Sequence, residues 1–98
     1  MTTLKASTGP QFARILAVGS ATPSRVIPNE FLLQYIDSSD EWITQRTGIK
    51  ERRIAASDET TATLASAAGA AAIKDAGMTP SDIDLIIVAT ATPDQIVP

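Results

Sequence analysis

The sequence predicts an α/β fold with a parallel core sheet and packed helices, its elements in the order β-α-α-β-α-β. Three observations predict it: aliphatic runs near either end, ILAV at 15–18 and LIIVA at 85–89, an alanine-dominated stretch from Thr60 to Ala76, and helix start and stop signals between them. A short unbroken aliphatic run suits a strand buried on both faces, as in a parallel sheet covered by helices. Helices alternating with such strands place that sheet at the centre of one unit.

Residues 1–11, polar and rich in Thr, Ser, Gly and Pro, read as a disordered leader. FARILAVG, from Phe12 to Gly19, is the first strand, closed by glycine. Two prolines break ATPSRVIPN, and Asn29 after Pro28 reads as the N-cap of a short helix over FLLQYI. Ser38 and Glu41 have the spacing of a capping box, and acids fill the first turn of a second helix that runs to about Thr47. Gly48 falls where a helix C′ residue belongs, because glycine alone enters the left-handed region without steric cost. IKERRIA, residues 49–55, alternates as an exposed strand does. The next helix spans Thr60 to Ala76, with Leu64, Ala68, Ala71 and Ala72 on one stripe, and stops at Gly77. Thr79 and Pro80 cap a brief turn before the last strand, Ile83 to Ala91. No repeat or linker divides residues 12–98.

Composition narrows the function. A 98-residue chain with 44% hydrophobic and 19% charged residues is ordinary globular material. At this length it buries only about 60–65% of its unfolded surface, little for a full catalytic core. The net charge of −3, without a long basic run, is not that of a nucleic-acid binder or a membrane-surface protein. No secretory pattern follows Lys5, and no segment nears the roughly 20 apolar residues of a membrane span, so a cytoplasmic protein is expected. Cysteine and histidine are both absent. That excludes from these residues a disulfide, a thiolate metal site, the usual zinc ligands and a histidine base. The scattered glycines form no phosphate loop.

Asp37, Asp40 and Glu41 cluster at a helix start, where capping and dipole interactions account for them better than a metal does. Lys50, Arg52 and Arg53 read as a solvated strand face, with anion contact as the other reading. Trp42 and Arg46, four apart on a helix, stand side by side on one face. An aromatic plane beside a fixed cation can hold a purine and its phosphates. The same spacing also suits a packing tryptophan with an arginine snorkelling beside it. Both readings stand on spacing alone.

The string SSDEWITQRTGIKERRIA, Ser38 to Ala55, closely resembles the segment near the start of β-ketoacyl-(acyl carrier protein) synthase III enzymes. ILAVGSATPSRVIPN before it, DAGM at the end of the alanine helix, and DIDLIIVATATPDQIVP after it extend the resemblance over residues 12–98. Starter-unit synthases of polyketide pathways and quinolone-type condensing enzymes look similar here. The resemblance implies a homodimeric thiolase fold in which two similar α/β halves make an αβαβα core, with this chain an incomplete N-terminal half-domain. It implies an acyltransferase that joins an acyl-coenzyme A primer to malonyl-acyl carrier protein by decarboxylative Claisen condensation to start fatty acid synthesis. Alternatives are a starter-unit relative in secondary metabolism and a non-enzymatic α/β binding module. The family's catalytic cysteine, histidine and asparagine would lie beyond Pro98, so no catalytic residue is expected in this chain. Carried across, Trp42 looks like the adenine-stacking tryptophan, Arg46 its neighbouring coenzyme A contact, and Ser38 the nearby hydroxyl, where some relatives have threonine. Val97 matches the residue that reaches across the dimer to close the primer pocket. No metal, tightly bound cofactor, nucleic-acid or membrane partner is implied; coenzyme A enters as a thioester substrate.

Overall fold

The computed structural model describes residues 8–96. Its elements are β1 (Arg25–Pro28), α1 (Asn29–Leu32), α2 (Asp40–Thr47), β2 (Glu51–Ile54), α3 (Thr61–Asp75) and a 3₁₀ turn at Pro80–Asp82. β1 and β2 pair antiparallel, with Arg25 opposite Ile54, Val26 opposite Arg53, Ile27 opposite Arg52 and Pro28 opposite Glu51. The segment read as a proline-broken loop is therefore partly a strand. Its proline sits at the terminal position, where a missing N–H interrupts no interior bond.

Helix α2 begins one residue later than the capping-box spacing suggests. Ser39 is the N-cap, its hydroxyl accepting from the Trp42 N–H at 3.1 Å. With Asp40 as the first helical residue, Trp42 rather than Glu41 presents the orphan third N–H, and Ser38 lies outside the cap. Gly48 closes the helix at φ 71°, its N–H donating to the Thr44 carbonyl at 2.8 Å, as expected. The expected helix over residues 31–36 is corrected in a similar way. α1 is a single turn from Asn29 to Leu32, capped by Pro28 without a side-chain bond, and the N–H groups of Tyr35 and Ile36 both fold back to the Leu32 carbonyl. Asn29 is not a cap; its side chain is buried.

α3 starts at a reciprocal cap between Thr60 and Thr63. It ends with the Gly77 N–H on the Lys74 carbonyl and the Met78 N–H on the Ile73 carbonyl, the paired bonds of a Schellman stop, with Gly77 at φ 68°. Leu64, Ala68 and Ala72 are half-buried along one stripe, whereas Ala71 is exposed. Gly19 crosses this helix so closely that a Cβ there would meet the Ala68 carbonyl and lie 2.5 Å from the Ala72 nitrogen.

The expected parallel pairing of residues 12–19 and 83–91 is absent among the described residues, where the one sheet is the antiparallel β1–β2 ribbon. A strand is defined by a neighbour that accepts and donates its backbone bonds, and no such neighbour flanks these runs. Their apolar side chains stand in the open, Ile15 at 84% and Ile87 at 82% exposure. Ile83, Leu85, Ile86 and Val88 face Ala65, Gly69 and Ile73 of α3 across an uncovered apolar groove. The radius of gyration is 19.8 Å, against about 13 Å for a compact domain of this length. The close-packed corner is the one formed by β1, β2, α1 and α2, around Ile27 and Ile43.

Candidate functional site

Trp42 and Arg46 occupy successive turns of α2, and the guanidinium carbon of Arg46 lies 5.4 Å from the centroid of the Trp42 ring. That separation is within cation–π range. Trp42 is 54% exposed and Arg46 is exposed, so the pair presents one face to solvent. Trp42 is not a core anchor among the described residues; Ile43, 7% exposed, fills that position on α2. The arrangement offers a stacking plane next to a positive charge, the chemistry that suits a purine joined to phosphates.

Ser38 is half-buried two residues ahead of α2 and makes no side-chain hydrogen bond among the described residues, so the structure does not join it to the pair. Val97 lies outside the described residues. The approach to it is tied down: the Thr61 hydroxyl donates to the Thr92 carbonyl at 2.6 Å, and the Ala62 N–H donates to Asp94 Oδ1 at 2.8 Å. The Thr60 hydroxyl and that Ala62 N–H hold the Asp94 carboxyl below its ordinary range.

Composition and spacing gave no sign of the residue that organises this corner. Asn29 is fully buried. Its Nδ2 donates to Asp40 Oδ1 at 2.8 Å, to Thr44 Oγ1 at 3.3 Å and to the Ile49 carbonyl at 2.8 Å, while its backbone N–H reaches the Lys50 carbonyl at 3.2 Å. Its Oδ1 accepts from Arg52 Nη2 at 2.7 Å. The basic cluster is thereby split. Arg52 turns inward to Asn29, whereas Arg53 and Lys50 stay exposed, Arg53 donating to the Pro23 carbonyl at 3.2 Å. A solvated strand face is the wrong description for Arg52, whose Nη1 is buried without a partner among the described residues. The signal that could have found Asn29 is its place between a strand-ending proline and a helix too short to need a side-chain cap.

Glu59 fastens the other end of the ribbon. Its carboxylate accepts from the Ala56 N–H at 3.0 Å, the Ser24 N–H at 3.1 Å and the Ser24 hydroxyl at 2.8 Å. These donors, the Ala56 N–H foremost, hold it below the usual glutamate range. Among the described residues no group of acids could hold a metal ion, and no helix is long and apolar enough to cross a membrane.

No family model matches the chain. It is 54% identical over 92 residues to the mycobacterial β-ketoacyl-(acyl carrier protein) synthase III of Mycolicibacterium paratuberculosis, a match covering 94% of this chain and 28% of the relative. It is 58% identical over 80 residues to the β-ketoacyl-(acyl carrier protein) synthase III of Sinorhizobium medicae, covering 82% and 25%. Among solved structures, the priming β-ketosynthase of a polyketide biosynthetic pathway superposes with a TM-score of 0.81 at 45% identity, over 87% of this chain and 25% of that one. The described backbone is thus that of a stretch of the thiolase-like fold. The chain spans about a quarter of the length of the curated relatives it matches, at their N-terminal part. Over this stretch it is a homologue of the N-terminal part of proteins named β-ketoacyl-(acyl carrier protein) synthase III, as the resemblance of Ser38 to Ala55 implied.

Proposed function

We propose that this chain is the coenzyme-facing N-terminal part of a condensing enzyme that joins an acyl-coenzyme A primer to malonyl-acyl carrier protein. The observation that carries the reading is the solvent-facing Trp42–Arg46 pair, standing within a stretch shared with proteins named as synthases of this kind. The indole would stack on the adenine, the guanidinium would neutralise phosphate charge, and Ser38 would add a hydroxyl nearby.

The chemistry belongs to residues outside this sequence, which has no cysteine and no histidine. In the proposed reaction a cysteine thiolate attacks the acyl thioester and releases the coenzyme A thiol. Loss of carbon dioxide from malonyl-acyl carrier protein leaves a carbanion that attacks the acyl-cysteine carbonyl. The thiolate departs, and a 3-oxoacyl-carrier protein is formed. The chain's own part is uniform binding of the primer's nucleotide end, remote from the reacting carbonyl.

In the same reading, residues 12–19 and 83–91 become sheet strands once the remaining three quarters of the family chain supplies their neighbours, which would complete the β-α-α-β-α-β order. The bare aliphatic side chains of both runs support this. The complete protein would be a cytoplasmic homodimer without a tightly bound cofactor, and Val97 would face the primer pocket across the dimer. The superposition with a polyketide priming ketosynthase favours a second reading, starter-unit condensation in secondary metabolism. Incubating the full-length protein with a set of acyl-coenzyme A primers and malonyl-acyl carrier protein separates them. A 3-oxoacyl-carrier protein detected by mass spectrometry supports condensation, and the preferred primer distinguishes the two pathways. Absence of product with every primer, in a folded enzyme, rejects the reading.

A further inference from the structure

We propose that Asn29 is a positioning residue for the Trp42–Arg46 pair: its buried amide clamps α2 to the β1–β2 ribbon and so sets where the indole and guanidinium stand. The inference rests on the coenzyme reading above. Helix α2 has eight residues, about 12 Å, and its only buried side chain is that of Ile43, so packing alone gives it a short lever. Asn29 adds two anchors one turn apart, Asp40 at 2.8 Å and Thr44 at 3.3 Å, which Thr44 reinforces by donating to Asp40 at 3.3 Å. Two anchors on one face fix both rotation about the helix axis and sliding along it. Trp42 and Arg46 follow those anchors by two residues each, roughly 200° round the helix, so a rotation of the inner face is transmitted directly to the outer pair.

The far side of the clamp is equally tied. Asn29 holds the Ile49 carbonyl at 2.8 Å and the Lys50 carbonyl at 3.2 Å in the loop leaving α2, and Arg52 on β2 at 2.7 Å. One side chain thus joins the start of α2, its second turn, the loop after it and the strand beyond. Arg46 makes no ion pair among the described residues, so its direction depends on where the helix carries it and on the indole beside it.

The test uses the full-length enzyme and the kinetic constants for acyl-coenzyme A and malonyl-acyl carrier protein. Asn29→Ser removes the amide donors, and Thr44→Val removes one anchor at nearly constant shape, serving as the second variant where the first does not fold. The expected result is a KM for acyl-coenzyme A raised about three- to tenfold, with kcat within about twofold and the carrier-protein KM unchanged. In a background of Trp42→Ala with Arg46→Ala, the same substitutions should leave the acyl-coenzyme A KM of that background unchanged. An increase that persists in that background overturns the proposal, because Asn29 then acts by another route. Unchanged KM in Asn29→Ser and Thr44→Val, while Trp42→Ala raises it, also overturns the proposal but leaves the coenzyme reading standing. If Trp42→Ala itself has no effect, the coenzyme reading fails and takes the proposal with it.

Discussion

Arg52 donates through Nη2 to Asn29 Oδ1 at 2.7 Å, so one nitrogen of a half-buried cation on β2 is paired with the amide that also holds α2. Removing either partner strands the other. A buried polar group left unsatisfied costs about 1–3 kcal/mol, so Arg52→Ala should destabilise the full-length protein by about that amount. Urea denaturation of the variant measures it. A midpoint equal to that of the parent would mean that this bond contributes nothing.

Gly19 and Gly48 are required for different reasons, and substitution should tell them apart. A methyl at Gly19 would strike the backbone of α3 at Ala68 and Ala72, neither of which can rotate away. Gly19→Ala should therefore cost about 1–3 kcal/mol. Gly48 has nothing within 4 Å of the added carbon, so its requirement is its φ of 71°. Gly48→Asn should retain most of the stability, since asparagine tolerates the left-handed region better than other residues do. Thermal unfolding of the two variants checks the contrast. Equal losses would contradict it.

The Glu59 carboxylate ties Ser24, just before β1, to Ala56, just after β2. Because its folded pKa is depressed, its contribution is fully present above the ordinary glutamate value of about 4.3 and fades as pH falls through the lower folded value. Glu59→Gln should lower the unfolding temperature at neutral pH, and the gap from the parent should narrow as pH falls below the ordinary glutamate value. A gap that is constant with pH would show that the carboxylate charge is immaterial.

Helix stops were legible in the sequence because their deciding contacts lie within a few residues, whereas the start of α2 was misplaced by one residue, Ser38 for Ser39. Gly48 and Gly77 stop their helices as read, Thr79–Pro80 opens the short turn, and Thr60, read as the first residue of α3, is its N-cap. The motif around Trp42 and Arg46 placed the pair on one helix face, and the 5.4 Å geometry agrees. What was not legible depends on partners far along the chain. β1 is a strand because β2, more than 20 residues on, pairs with it across a proline that local reading treats as a breaker. Asn29 is buried by the convergence of Asp40, Ile49 and Arg52, none of which a local capping rule considers. Conversely, the aliphatic runs at 15–18 and 85–89 have the composition of buried strands but find no sheet neighbour among the described residues.

The central claim is that Trp42 and Arg46 bind the nucleotide end of the acyl-coenzyme A substrate, and the KM of full-length Trp42→Ala tests it most directly. Base–aromatic stacking is worth roughly 1–3 kcal/mol in nucleic-acid complexes, so that KM should rise about fivefold to a hundredfold. The contact is remote from the reacting carbonyl, so kcat and the KM for the carrier-protein substrate should be nearly kept. A correctly folded Trp42→Ala enzyme with the parental KM for acyl-coenzyme A would contradict the account and leave the exposed indole without a role in substrate binding.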